Sequence, residues 1–428
     1  MQGARASEDV APHDIRCTHA RAIKTADIYL HNNLITLYSK SNRPSDVLRV
    51  FHQIPTPNVV SWTALISSTS NNPLSLRHFV SMLRYPTLPN QRTLATLLKT
   101  CAALSSLHFG LQLHSLSLKL SLSHSPFSAS ALINFYSKTR LPQNALKVFD
   151  EMPHRDEVSY SALIVGLAQN ARPTEALSVF SNLRRSYVAS TMYSVSGALS
   201  AAAELAGLEQ CRIVHGHCVG VGLDCDVVVA TALVNGYGKC GVVRDARRVF
   251  DGMLGSLNLV GWNAMLAGYA QLGDSVGVVE LFDLMTLRGG GGVRPDELSF
   301  LAILGAFSNA GLVFECENWL RRMSLEYNVE PGLEHYTCVI GALARVGRLE
   351  EAEKLAVTMP YEPDSAVWRT MLSACVSHGE TEMASKMGRD CHEAFKHMSL
   401  VIQREILVRD VNRYHKFVDG NCTCGDHW

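Results

Sequence analysis

The chain has 428 residues and balances 39 Lys plus Arg against 39 Asp plus Glu. That length exceeds the roughly 250–300 residues at which a single hydrophobic core stops growing, so several domains or one elongated array are required. A hydrophobic share of 47% with 18% charge excludes a disordered chain, and no window nears the ~18–20 unbroken apolar residues of a membrane span. Zero net charge also removes bulk basicity as an argument for a nucleic-acid ligand, leaving only local charge.

Reading from the start, the first 25 residues mix Arg5, Arg16, Arg21 and Lys24 with Glu8, Asp9 and Asp14. Transit peptides are poor in acids and secretory signals carry an apolar stretch, so neither pattern is readable here. The 12 cysteines lie singly along helical patterns, as at Cys101, Cys211, Cys240 and Cys338, which favours buried reduced thiols and an intracellular compartment. The exception is Cys422-Thr423-Cys424 near the end.

Self-comparison then dominates. Asn33-Leu34-Ile35, Ala64-Leu65-Ile66, Ala131-Leu132-Ile133, Ala162-Leu163-Ile164, Ala232-Leu233-Val234 and Ala264-Met265-Leu266 are one recurring tripeptide, and Ala145-Leu-Lys-Val-Phe-Asp-Glu-Met-Pro153 returns as Ala246-Arg-Arg-Val-Phe-Asp-Gly-Met253. Two residues before each central Leu or its equivalent lies a register of 32, 63, 95, 130, 161, 196, 231, 263, 301, 337 and 369. Each unit reads as two helices: one carrying Leu233 and Tyr237 beside the small Gly236 and Gly238, a break at Lys239-Cys240-Gly241, and a second over Arg244 to Met253. A lone hairpin cannot bury its apolar face, so stacking is implied: an all-α solenoid of about ten helix-turn-helix units. Two irregularities stand out, a shortened unit around Asn71 to Pro73 and the run Gly289 to Gly292. The glycine run lacks the Lys-Ser/Thr of a phosphate-binding loop and reads as a lengthened connection between repeats.

Asn58-Val-Val-Ser-Trp-Thr-Ala-Leu-Ile66, Val-Arg-Pro-Asp296, the Tyr-Gly-Lys-Cys-Gly run at 237–241 and His335-Tyr336 closely resemble the pentatricopeptide repeat family. The uneven repeat lengths resemble its subclass of P, L and S repeats found in land-plant organelles. The resemblance implies a right-handed superhelix over residues 28–364, preceded by a truncated L-type remnant over 1–27. It also implies single-stranded RNA, not DNA, as partner and residence in a mitochondrion or chloroplast. In that family one base is read by the register residue together with the last residue of the unit, a mode in which short polar side chains meet a splayed base edge. Carried over, Asn32 with Asn58 suggests a pyrimidine, Thr63 with Asn90 suggests A, and Ser130 with Asp156 suggests G. Thr231 with Asn258 suggests A, Asn263 with Asp296 suggests U, and Thr337 with Asp364 suggests G. Ala95 with Ser125, Ser161 with Thr191 and Leu301 with Gly332 fit no clear pairing, and Ser196 with Asp226 sits in an L unit. With the RNA 5′ end at the protein N-terminus, the implied ligand reads Y-A-n-G-n-(G)-A-U-n-G. The bland reading of the same side chains is that they end turns or face solvent, and the rival class is a protein-binding scaffold.

A partial E1 motif is implied over 365–386. From 387 to 428, Arg389-Asp-Cys-His-Glu-Ala-Phe-Lys396, Arg404 to Phe417 and Gly420-Asn-Cys-Thr-Cys-Gly-Asp-His-Trp428 resemble the end of the DYW domain, a module similar to cytidine deaminases. Zinc deaminases need an H-x-E and a C-x-x-C. Here Gly388 stands where the resemblance calls for the first Cys before Cys391, and the H-x-E block is missing. His378-Gly379-Glu380 matches only by letters. The resemblance therefore implies a truncated, inactive remnant, with a deaminase supplied by a separate chain. It also implies a structural Zn²⁺ held by His392, His415, Cys422 and Cys424, a set suited to tetrahedral zinc.

Overall fold

The computed structural model describes residues 27–380 apart from 124 and 289–292. Among these residues there are 21 α-helices and no strand, and the chain divides into two compact units between Ala232 and Leu233. No helix among them is long and apolar enough to cross a membrane.

The first unit runs through α1 (Ile28–Lys40), α2 (Pro44–His52), α3 (Val59–Ser68), α4 (Pro73–Met82), α5 (Gln91–Ala103), α6 (Leu107–Lys119), α7 (Pro126–Lys138), α8 (Pro142–Asp150), α9 (Glu157–Gln169), α10 (Pro173–Arg185), α11 (Met192–Glu204) and α12 (Leu208–Val221). Helix α13 (Val227–Lys239) spans the division. The second unit continues with α14 (Val243–Gly252), α15 (Leu259–Gln271), α16 (Ser275–Arg288), α17 (Glu297–Ala310), α18 (Val313–Leu325), α19 (Leu333–Arg345), α20 (Leu349–Thr358) and α21 (Ser365–His378). Odd-numbered helices are the first of each hairpin and even-numbered ones the second, giving ten hairpins and a final single helix among the described residues.

Each unit is a stack of hairpins, as the repeat implies. Within a unit the backbone of a first helix comes within 8 Å of the next first helix, and each second helix reaches that close both to its own partner and to the following first helix. The recurring Val-Phe of the second helix explains the latter contact. Phe51 meets Trp62 at 4.7 Å between ring centroids, Phe149 meets Tyr160 at 5.0 Å, and Phe250 meets Trp262 at 4.9 Å, all edge-on. Such pairs add about 0.5–1.5 kcal/mol beyond the area they bury. Small residues serve the first-helix ladder: a Cβ on Gly238 would lie 3.1 Å from Gly268 Cα, so both glycines are needed for the approach of α13 and α15.

The two sequence irregularities have local causes. Helix α3 has 10 residues where the other first helices have 13 or 14, which removes nearly a turn before Pro73 opens α4. The run 289–292 lies outside the described residues, between α16 and α17. Helix α14 begins at Val243, one residue before the predicted Arg244.

Candidate nucleic-acid interface

The register survives folding without a slip. Asn32, Thr63, Ser130, Thr231, Asn263 and Thr337 are each the fifth residue of a first helix, α1, α3, α7, α13, α15 and α19 respectively. Their partners stand just before the next first helix, and each caps it. Asn58 Oδ1 accepts from Val60 and Ser61 N–H at 3.0 Å, Asn90 from Thr93 at 2.9 Å, and Asp156 from Ser159 at 2.8 Å. Asn258 accepts from Gly261 at 3.2 Å, Asp296 from Ser299 at 3.0 Å, and Asp364 from Ala366 and Val367 at 2.9 and 3.0 Å. Capping alone favours Asn and Asp here, each worth about 1 kcal/mol over Ala. The cap bonds use one side-chain oxygen of each residue.

The pairs differ in how folding joins them. Asn263 Nδ2 donates directly to Asp296 Oδ1 at 2.9 Å. Thr63 reaches Asn90 only through Thr93, whose hydroxyl lies 2.6 Å from that of Thr63 and 3.0 Å from Asn90 Oδ1. Thr337 donates to Leu333 O of its own helix at 2.8 Å, and no hydrogen bond joins it to Asp364 among the described residues. Thr231 and Asn258 fall in different units. Ser161 and Thr191, which carry no base assignment, are bonded at 2.7 Å. Asn32 Oδ1 and Ser130 Oγ are buried without any hydrogen-bond partner. A buried polar atom left so costs roughly 1–3 kcal/mol, so these two register positions are the places where an added donor or acceptor gains most.

Clefts open at the same positions. One of about 510 Å³ is lined by Thr63, Asn90, Val60, Lys40 and Arg92, and another of about 660 Å³ by Ser161, Thr191, Asp226, Val158, Tyr193 and Lys138. A third, of about 620 Å³, lies along α19 and α21 beside Arg345 and Arg369. The first and third pair neutral polar groups with a local cation, the charge that phosphate contacts require, whereas in the second Lys138 shares the cleft with the carboxylates of Glu157 and Asp226.

A second row was missed in the sequence. The second residue of the first helices is a large, exposed apolar side chain at Tyr29, Val60, Phe127, Val158, Tyr193, Val228, Val260 and Leu298. Single exposed apolar residues are ordinary, but a row in constant phase beside a polar row is not, and flat apolar faces suit stacked bases. The signal was available as the Val, Tyr, Phe or Leu two residues after most of the cap positions, with Arg92 and Ala366 among the exceptions.

Other candidates resolve as scaffold. At the far end of the first helices, side chains cap carbonyls of the preceding one: Asn170 donates to Ser137 O at 2.9 Å, Asn309 to Ala270 O at 3.2 Å, and Arg345 to Ser308 O. His378 Nε2 continues this ladder at 3.2 Å from Arg345 O, so the His378-Gly379-Glu380 triplet has a structural occupation. Burial pushes the thiols of Cys101 and Cys316 up to about 12 and those of Cys218 and Cys338 up to about 11, which leaves them inert. Among the described residues no group of three or more His, Cys, Asp or Glu is placed to hold a metal. His392, His415, Cys422 and Cys424, with the whole of 381–428, lie outside those residues, as does the remnant over Cys17 to Lys24.

Within each unit the stacked hairpins define a helical-repeat protein. A profile described as the PPR repeat matches residues 29–56, 127–156, 158–188, 228–256, 260–290 and 334–360, and the DYW family of nucleic acid deaminases matches 350–428. A putative pentatricopeptide repeat-containing protein of Arabidopsis thaliana is 36% identical over 83% of this chain and 60% of its own length. Another from that plant, designated mitochondrial, is 34% identical over 89% and 61%, and one designated chloroplastic is 32% identical over 89% and 44%. The chain belongs to the pentatricopeptide repeat family, and it spans about half to three fifths of the length of these relatives. Among solved structures, maize PPR10 in complex with an 18-nucleotide psaJ RNA element matches with a TM-score of 0.68 at 20% identity, over 86% of this chain and 56% of that one.

Proposed function

We propose that this chain binds single-stranded RNA sequence-selectively, one base per repeat, through the register residues and the caps that follow them. The observation that carries this reading is the three-part pattern recurring in phase: an exposed apolar second residue, a buried or half-buried polar fifth residue, and a polar cap one helix on. Stacking on the first supplies affinity, hydrogen bonds to the other two supply choice, and Lys40, Arg92, Arg345 and Arg369 neutralise phosphates. The resulting affinity falls with salt. The full chain and a labelled Y-A-n-G-n-G-A-U-n-G RNA test this by fluorescence anisotropy near physiological salt, against a base-shuffled control. Asn263→Ala is expected to weaken binding about tenfold or more when U is matched to that repeat and to change little with other bases. Equal loss with every base would remove the code assignment, and no binding to either RNA by a folded sample would favour a protein partner.

The role that fits the DYW match is that of a specificity factor in organellar C-to-U RNA editing, marking a cytidine 3′ of the bound stretch. Maize PPR10, bound to RNA in its structure, and the mitochondrial and chloroplastic designations of relatives support that setting. The tail does not carry its own deaminase centre in this reading, because Gly388 replaces a zinc-binding Cys and no H-x-E outside the helical ladder remains. A deaminase from a separate chain then supplies the chemistry. Two imidazoles and two thiols at His392, His415, Cys422 and Cys424 are a donor set for a structural zinc, which would staple the tail without a position for reacting water. Metal analysis is expected to find about one zinc per chain, lost in Cys422→Ser/Cys424→Ser. Equal zinc in both proteins would remove the assignment.

A further inference from the structure

The reading unit contains a third side chain. Ser299, the third residue of α17, has two acceptors in reach of its one hydroxyl hydrogen, Asn263 Oδ1 at 2.6 Å and Asp296 Oδ1 at 3.0 Å; the shorter contact takes the hydrogen, and the hydroxyl accepts from Asp296 N–H at 3.2 Å. Asp296 Oδ1 in turn holds Asn263 Nδ2 at 2.9 Å. A carboxylate only accepts, so the Asn263 amide must turn its nitrogen toward Asp296 and its oxygen toward Ser299. The amide is left with one free N–H, while its oxygen has one of its two lone pairs engaged and its direction fixed by Ser299.

We propose that Ser299 is a specificity-determining residue: by engaging Asn263 Oδ1 it holds the amide in the orientation that leaves N–H as the free donor, so that this repeat favours a base carbonyl over a base amine. This rests on the RNA-reading function proposed above. Uracil presents a carbonyl where cytosine presents an amine, and an amide with a free oxygen would serve the amine equally well.

One other repeat shows the same device, and two show its absence. Thr93, third residue of α5, sits 2.6 Å from the register hydroxyl of Thr63, whose own hydrogen goes to Val59 O at 2.7 Å. Thr63 is thereby left as an acceptor, the group an adenine amine requires. The converse case is Ser128, third residue of α7. The preceding register position is Ala95, which has no polar group, and the Ser128 hydroxyl is wholly buried with no partner. Ser159, third residue of α9, differs again: its hydroxyl donates to Asp156 O at 2.8 Å and leaves Ser130 alone. The third residue therefore acts on a base only where it bonds the register side chain.

The test is binding of the full chain to four RNAs that differ only in the base matched to Asn263. Wild type is expected to prefer U over C. Ser299→Ala is expected to lower that U-to-C ratio about tenfold while U binding stays within about threefold, with Ser299→Thr restoring the ratio. A lost helix cap would weaken all four RNAs alike, and Ser159→Ala, which removes a comparable capping hydroxyl, should leave every ratio unchanged. If Ser299→Ala keeps the wild-type ratio while Asn263→Ala abolishes it, the role of Ser299 is overturned and RNA reading stands. If wild type binds all four RNAs equally or none, the reading function itself fails and this inference falls with it.

Discussion

The two units solve one backbone problem with different residues. Each hairpin but that of α3 and α4 closes through a hydrogen bond spanning five residues back: Leu141 N–H to Tyr136 O, Arg172 to Leu167 O and Gly207 to Ala202 O in the first unit, and Val242 to Tyr237 O, Asp274 to Tyr269 O and Leu312 to Phe307 O in the second. That bond drives the residue before the donor into the left-handed region. In the second unit those residues are Gly241, Gly273, Gly311, Gly347 and Gly379, with φ between 70° and 79° across the set. In the first they are Asn42, Ser105, Arg140, Ala171 and Ala206, with φ from 48° to 60°. Glycine enters this region freely, whereas a side chain other than Asn or Asp costs about 1–2 kcal/mol there. The turn is thus imposed by helix packing and hydrogen bonding, and the first unit tolerates strain that the second avoids.

Exchanging the residues tests this. Gly241→Ala, Gly273→Ala and Gly311→Ala should each destabilise the second unit by about 1 kcal/mol or more, near ~3 kcal/mol together, because the sites are far apart and effects then add. Gly311→Ala should be the worst of them, since its Cβ would also lie 3.3 Å from Val346 Cγ1. The reverse exchanges, Ala171→Gly and Ala206→Gly, should stabilise the first unit by a smaller amount, about 0.5–1 kcal/mol each, because glycine also loosens the unfolded chain. Hydrogen exchange on the whole chain reads both units at once. Loss of stability in Ala171→Gly and Ala206→Gly would mean that the turns carry no strain.

This contrast was only half legible in the sequence. Lys239-Cys240-Gly241 is a visible break, because glycine advertises the left-handed turn. Nothing at Ala171 or Ala206 does so, since only the repeat phase assigns them the same position. The site divides in the same way. The register residues and caps followed from periodicity, and the all-α stack with them, because both depend on spacing alone. Which pairs bond depends on side-chain length and on third residues such as Thr93, Ser128 and Ser299, and that is settled by packing between repeats. The exposed row from Tyr29 to Leu298 escaped because an apolar residue near a helix start reads as core until its exposure is seen.

Acid offers the gentlest way to separate the units. Burial lowers the pKa of His78, His114 and His217, all in the first unit, and the charges of His52 and Arg184 push the same way at His78 and His217, while Glu151 opposes at His114. Two of the rings have hydroxyl partners: His114 Nδ1 lies 2.6 Å from the Tyr136 hydroxyl, and His217 Nε2 lies 2.8 Å from Ser190 Oγ, while His78 Nε2 is buried without a partner. A depressed histidine takes up its proton more readily when unfolded, so its contribution is complete above the ordinary value of 6.5 and is lost as pH falls below it. Protection of the first unit should therefore drop between pH 7 and pH ~5, by less than the turn exchanges produce, and His114→Gln/His217→Gln should flatten that drop. An unchanged drop in that double variant would assign the acid sensitivity to His78 or to carboxylates instead.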